Sequence, residues 1–172
     1  GGIIIYPTDT LYAIGCDALN NNAIERICKI KGINPMKTEL SIICHDISQA
    51  AEYTRIDNRA FKMLKEHLPG QFTFLLPAST RLPKVFKGRK TVGVRIPDNP
   101  IPLALAEMLG NPLLTTSVED DGEGSVIYPQ SLAIQYEEVV DMVIDGGEGN
   151  EIPSTVVDIT DSSEPRILRQ GA

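Results

Sequence analysis

The sequence has no tryptophan, two histidines (His45 and His67) and three cysteines (Cys16, Cys28 and Cys44) in 172 residues. Each scarcity excludes something. There is no C-x-x-C pair and no Cys/His cluster, so the ligand spacing of a structural zinc site is missing and no metal site is expected. The cysteines are odd in number and far apart, which does not suit a disulfide framework. Each stands beside apolar residues and reads as a small core residue in a reducing cytoplasm. No apolar run approaches the roughly 20 residues of a membrane-spanning helix. The opening Gly1-Gly2-Ile3-Ile4-Ile5-Tyr6 lacks the basic start and cleavage site of a secretory signal. It reads as a strand that begins abruptly, with an upstream segment missing from the numbered chain. P-loop and dinucleotide-binding glycine patterns, a Ser/His/Asp order and H-E-x-x-H are also absent.

What is present fits one globular α/β domain over residues 1–172, with 42% hydrophobic and 23% charged residues. The net charge of −7 argues against wholesale binding to a nucleic-acid backbone. The charge is uneven: Lys84, Lys87, Arg89, Lys90 and Arg95 form a basic stretch, and Glu119, Asp120, Asp121 and Glu123 an acidic one. A local anion pocket is compatible with that distribution.

Apolar, β-branched runs predict strands at 3–6, 40–44, 72–76, 91–96, 113–118, 142–144, 154–159 and 166–168. Helical spacing predicts helices after Asn21 or Asn22 (Ile24, Ile27, Cys28), after Asn58 (Phe61, Leu64, Leu68), from Pro100 (Ile101, Leu105, Met108) and over 131–138. Closely spaced strands favour a mixed sheet with helices packed on it over a purely parallel array.

Five segments could carry chemistry. Residues 6–17 read as a polar loop at a sheet edge, where Thr8 and Thr10 could bind a small polar ligand or merely satisfy their own turn. Lys31, on a turn after a helix, either complements the helix dipole or reaches a phosphate. In Thr91-Val92-Gly93-Val94-Arg95-Ile96, alternation puts Val92, Val94 and Ile96 on one face and Gly93 and Arg95 on the other. Arg95 is then an anion clamp if that face is concave and a surface residue if it is open, while Gly93 would let a ligand approach the backbone. The run 114–119 ends an apolar strand in hydroxyls and an acid, and 153–158 with 166–171 repeats that theme at the C-terminus.

In this order the segments resemble the YrdC/YciO family: Y-P-T-D-T-L-Y-A-I-G-C-D at 6–17, K-I-K-G-I-N-P at 29–35, L-P-G-Q-F-T-F at 68–74, T-V-G-V-R-I-P-D-N-P at 91–100, P-L-L-T-T-S at 112–117, D-G-G at 145–147, S-T-V-V-D at 154–158 and I-L-R-Q-G at 167–171. The resemblance implies a twisted mixed β-sheet with packed helices around a large concave cavity, usually with a helix before the first strand. It also implies the activity of a threonylcarbamoyl-adenylate synthase, which joins ATP, bicarbonate and L-threonine with Mg²⁺ and serves tRNA modification. By motif position, Thr8 would contact threonine, Lys31, Arg95, Ser154 and Arg169 would hold phosphates or carboxylate, and Ser117 would lie at the nucleotide. None need transfer a proton, in keeping with the scarcity of histidine.

Three departures matter. Synthases carry Lys-x-Arg and Ser-x-Asn where this chain has Lys31-Gly32-Ile33 and Ser117-Val118-Glu119. A unit charge roughly 4 Å from a phosphate is worth about 4 kcal/mol at an effective dielectric near 20, so both changes should weaken ATP binding. The family's strand histidine also aligns with Ile43, with His45 two residues on. This pattern resembles the YciO branch. It implies weak synthase activity or acyl-adenylate hydrolysis, with double-stranded RNA or tRNA binding as the alternative and a non-catalytic ligand sensor as a third reading.

Overall fold

The structure is a computed structural model that describes residues 1–35, 40–83, 90–118 and 125–172. Among these, nine strands form one mixed sheet. In chain order they are β1 (Ile4–Tyr6), β2 (Ala13–Asp17), β3 (Ser41–Ile43), β4 (Phe72–Pro77), β5 (Thr91–Arg95), β6 (Leu113–Ser117), β7 (Met142–Val143), β8 (Thr155–Asp158) and β9 (Arg166–Arg169). Across the sheet the order is β7-β1-β2-β6-β3-β5-β4-β8-β9. The β1–β7, β3–β5 and β4–β8 pairs are parallel and the others antiparallel.

The helices are α1 (Asn21–Lys31), α2 (Ile47–Tyr53), α3 (Asn58–His67), α4 (Pro100–Leu109) and α5 (Pro129–Gln135). Period-2 alternation gives the central strands an apolar face. Ile14, Cys16, Ile42, Phe74, Val92, Val94 and Leu114 thereby build the main core, which Ile24 and Ile27 of α1, Ala50 and Tyr53 of α2, and Ala60 and Leu64 of α3 cover. On the other face a smaller cluster of Tyr6, Ala13, Ile43 and Leu113 meets Ile101 and Leu105 of α4. Everything beyond that cluster on this face is free to be hollow.

Several expectations change on folding. Residues 13–17, read as part of a loop, form an interior strand between β1 and β6, because Ala13, Ile14 and Cys16 pack on both faces despite Gly15. The first helix is capped by Asn20 and the third by Asp57, each one residue earlier than expected, where the side chain reaches the N–H three residues on. Phe61 and Met108, expected on buried stripes, are exposed, and Ala60 and Ala106 take their places because small residues let the helices sit closer to the sheet. Helix α2 was not anticipated; seven residues are too few for a helical period to show. The three cysteines are buried and free, as expected, and burial pushes the Cys16 thiol up to about 12.

Candidate functional site

The hollow begins with a row of residues side by side on five neighbouring strands: Gly15 on β2, Thr115 on β6, Ser41 on β3, Gly93 on β5 and Leu75 on β4. Two members have no side chain and two have short hydroxyls, so the sheet is locally thin on this face. Each glycine accommodates a neighbour. A Cβ at Gly15 would lie 2.7 Å from the Tyr6 hydroxyl and 2.6 Å from the Leu114 carbonyl. One at Gly93 would strike Ser41 Oγ and come within 2.9 Å of Thr73 Cγ2. The expected role of Gly93 is therefore corrected: its missing side chain makes room for Ser41 and Thr73, not for direct approach of a ligand to the backbone.

Above this row lies a cavity of about 210 Å³, walled by hydroxyls of Thr10, Ser41, Thr73, Thr115, Thr116, Ser117 and Ser154, and by Arg95 and Arg169. Arg95 is its electrostatic centre. Its side chain is 9% exposed, and Nη2 donates to Asp9 Oδ1 at 2.8 Å and to Thr10 Oγ1 at 3.1 Å. Asp9 is fixed in turn, since its second oxygen accepts the Asp98 N–H at 2.8 Å. Burial pushes the Arg95 guanidinium down from its ordinary value, and the Asp9 charge opposes that shift. The Nε–H of Arg95 is buried and meets no acceptor among the described residues. An unmet buried donor on a charged group is costly, and it marks where an anionic oxygen would be stabilised.

The residues singled out by the motifs fall at different depths. Arg95, Ser117, Ser154 and Arg169 line the cavity. Ser154 and Arg169 are locked together: the Arg169 Nε and Nη2 donate to the Ser154 carbonyl at 3.0 and 2.9 Å, and Ser154 Oγ lies 2.7 Å from Thr73 Oγ1. Lys31 stands at the mouth, its Nζ donating to the Ser117 carbonyl at 2.7 Å. Thr8 lies behind the wall. Its hydroxyl donates to the Leu11 carbonyl and accepts the Thr10 N–H, so the self-satisfying turn is what forms here. Ile33, at the synthase arginine's position, follows the left-handed cap Gly32 and packs on the main core, its N–H bonded to the Cys28 carbonyl. Ile43 is buried in the smaller core, and His45, beyond the strand's end, lines the concavity beside α2 and α3 with its Nδ1 3.4 Å from Asp46 Oδ2. Glu119 and its acidic neighbours, and Lys84, Lys87 and Arg89, lie outside the described residues.

Asp9, Ser41, Thr73 and Thr115 had been given no role. A signal existed for the last three: Ser41 and Thr73 are lone hydroxyls on otherwise apolar strands, and Thr115 opens the hydroxyl run that ends its strand. Asp9 offered none, because its partner is 86 residues away. A second concavity of about 520 Å³ lies between α2 and α3; Ile47, Ile56, Phe61, Leu68 and Ile96 dominate it, with His45, Asp46, Ser48 and Lys65 also on its lining.

This geometry can be set beside known proteins. The Sua5/YciO/YrdC family model, described as "Telomere recombination", matches residues 1–171. The chain is 40% identical over 174 residues to the uncharacterized Escherichia coli protein YciO, covering 99% of this chain and 84% of that one. The crystal structure of E. coli YciO superposes with a TM-score of 0.90 over 100% of this chain and 84% of that one. The threonylcarbamoyl-AMP synthase of Pyrococcus abyssi is 33% identical over 99% of this chain and 51% of its own length. The crystal structure of P. abyssi Sua5 complexed with L-threonine has a TM-score of 0.88, at 32% identity over 99% of this chain and 50% of that one. This chain thus spans about half the length of that synthase. A matched family model over almost every residue, with two solved folds in agreement, places the chain in the Sua5/YciO/YrdC family.

Proposed function

We propose that the cavity holds an amino-acid carbamate and the α-phosphate of a nucleotide, and that the protein makes or processes an adenylate of the threonylcarbamoyl-AMP type. The observation that carries this reading is the buried Nε–H of Arg95, unmet among the described residues, in a hydroxyl-lined hollow with Arg169 on its wall. The family relation to threonylcarbamoyl-AMP synthases supports it. In the synthetic direction, the amine of L-threonine and bicarbonate give a carbamate and water. A carbamate oxygen then attacks the α-phosphorus, and the bond to the bridging oxygen breaks, its electron pair leaving with pyrophosphate. Such a step needs alignment and charge neutralisation more than proton transfer.

In this reading Arg95, Ser154 and Arg169 hold carboxylate or phosphate oxygens, and Ser117 lies beside the nucleoside. Lys31 exchanges the Ser117 carbonyl for a phosphate, and Thr8 supports Thr10. Mg²⁺ arrives with ATP as part of the substrate; among the described residues no group of three or more His, Cys, Asp or Glu side chains is placed to hold a metal ion. We assign the protein to the cytoplasm on its buried free thiols. Among the described residues no helix is long and apolar enough to cross a membrane.

Calorimetry with ATP, AMP and L-threonine, with and without Mg²⁺, tests binding. Pyrophosphate release that requires both threonine and bicarbonate tests turnover. Binding with turnover is the expected result; binding without it would make the protein a sensor. Neither adenylate binding nor turnover at high protein concentration would end the reading. For tRNA or double-stranded RNA no observation speaks: of the basic stretch only Lys90 and Arg95 are described, and Arg95 is buried against Asp9.

A further inference from the structure

Behind the cavity wall lies the first residue of the 6–17 motif, to which the motif assigns no role. Tyr6 is fully buried, and its hydroxyl donates to Thr115 Oγ1 at 2.8 Å. Gly15 is what lets the ring lie there, since a Cβ at that position would press on its edge and hydroxyl. Burial pushes the phenol far above its ordinary value, so Tyr6 stays protonated and keeps its donor. A threonine hydroxyl has one proton and two lone pairs. Once Thr115 accepts from Tyr6, its own proton must point elsewhere, and no described residue accepts it. The cavity is the polar space that Thr115 lines.

We propose that Tyr6 is a positioning residue: by donating to Thr115 it fixes the Thr115 proton toward the cavity, so that Thr115 and Arg95 together present donors and select an oxyanion over an ammonium at this depth. This rests on the proposed function for the identity of the oxyanion, a carboxylate, carbamate or phosphoryl oxygen. It does not rest on it for the geometry. Without Tyr6 the Thr115 hydroxyl is free to turn its lone pairs inward, where they would meet the bound oxygen unfavourably.

A double-mutant cycle reads this directly, with inorganic pyrophosphate, ATP and L-threonine as probes in calorimetry. Tyr6→Phe keeps the ring, and Thr115→Val keeps the shape of the wall. Each alone should weaken binding about tenfold, the order of one hydrogen bond to a charged acceptor. Combined, they should weaken it no more than Thr115→Val does, because Tyr6 acts only through that hydroxyl. Losses that multiply, or an affinity that Tyr6→Phe leaves unchanged, would overturn the proposal. A wild type that binds pyrophosphate but neither ATP nor threonine would end the functional reading, and the same cycle read with pyrophosphate still decides the role of Tyr6. A wild type that binds none of the three would sink both.

Discussion

The two faces of the same strands follow opposite designs. On one, Ile42, Phe74, Val92, Val94 and Leu114 are buried under helices and join one apolar core. On the other, their immediate neighbours Ser41, Thr73, Gly93 and Thr115 leave a polar hollow whose main charge contact is Arg95 with Asp9. Adjacent residues, one side chain apart, thus serve stability and recognition separately. Burying apolar area is non-directional and tolerates exchange, whereas the hollow depends on particular donors in particular places. Size does not mark the site: the groove between α2 and α3 is larger, yet mostly apolar.

The comparison breaks most sharply at Asp9. Asp9→Ala leaves a buried guanidinium without its counter-charge, so urea unfolding should show a loss of about 3–5 kcal/mol. A much smaller loss would mean that water already screens the pair. Next is the contrast between neighbours: Leu114→Ala should cost about 2–5 kcal/mol by the same measurement and leave the ligand-facing wall intact. Thr115→Val strands the buried Tyr6 hydroxyl and should cost about 1–3 kcal/mol, while also weakening pyrophosphate. Equal weakening of pyrophosphate at 114 and 115 would erase the division between the faces. Gly15→Ala should cost about 1–3 kcal/mol, because backbone on β6 and the Tyr6 ring must both shift.

The smallest effect is a pH dependence outside the site. Burial raises the Asp158 carboxyl, but Thr160 and Arg166 hydrogen-bond it and bring it below the ordinary carboxylate value. A depressed folded-state value adds stability above the unfolded value, and that increment is lost as the pH falls through the folded one. Asp158→Asn should therefore cost about 1 kcal/mol or less at neutral pH and nothing once both forms are acid. Stability curves that stay parallel from pH 7 to the acid limb would contradict it.

How much of this could be read along the chain depends on the range of the interaction. The alternation in 91–96 already separated Val92 and Val94 from Arg95, and the structure keeps that separation. The polar residues ending 112–117 and opening 154–158 drew attention to Ser117 and Ser154 for the same local reason. Thr8 shows the limit: a hydroxyl beside a proline is equally good for a turn and for a ligand, and only the bonds to Leu11 and Thr10 decide. Phe61 was placed in the core because its spacing from Leu64 is helical, but a stripe has an edge, and helix rotation set by Ala60 left it outside.

By itself the sequence determined the apolar and polar sides of strands such as 91–96, the N-caps of α1 and α3 to within one or two residues, and the ordered motifs of the family. These are consequences of backbone geometry over a few residues. Tertiary structure alone decided that Thr115, Ser41 and Gly93 become neighbours, that Asp9 meets Arg95, and that Tyr6 reaches Thr115 across 109 positions. Those meetings depend on the order β2-β6-β3-β5, which long-range strand pairing sets and no local period encodes.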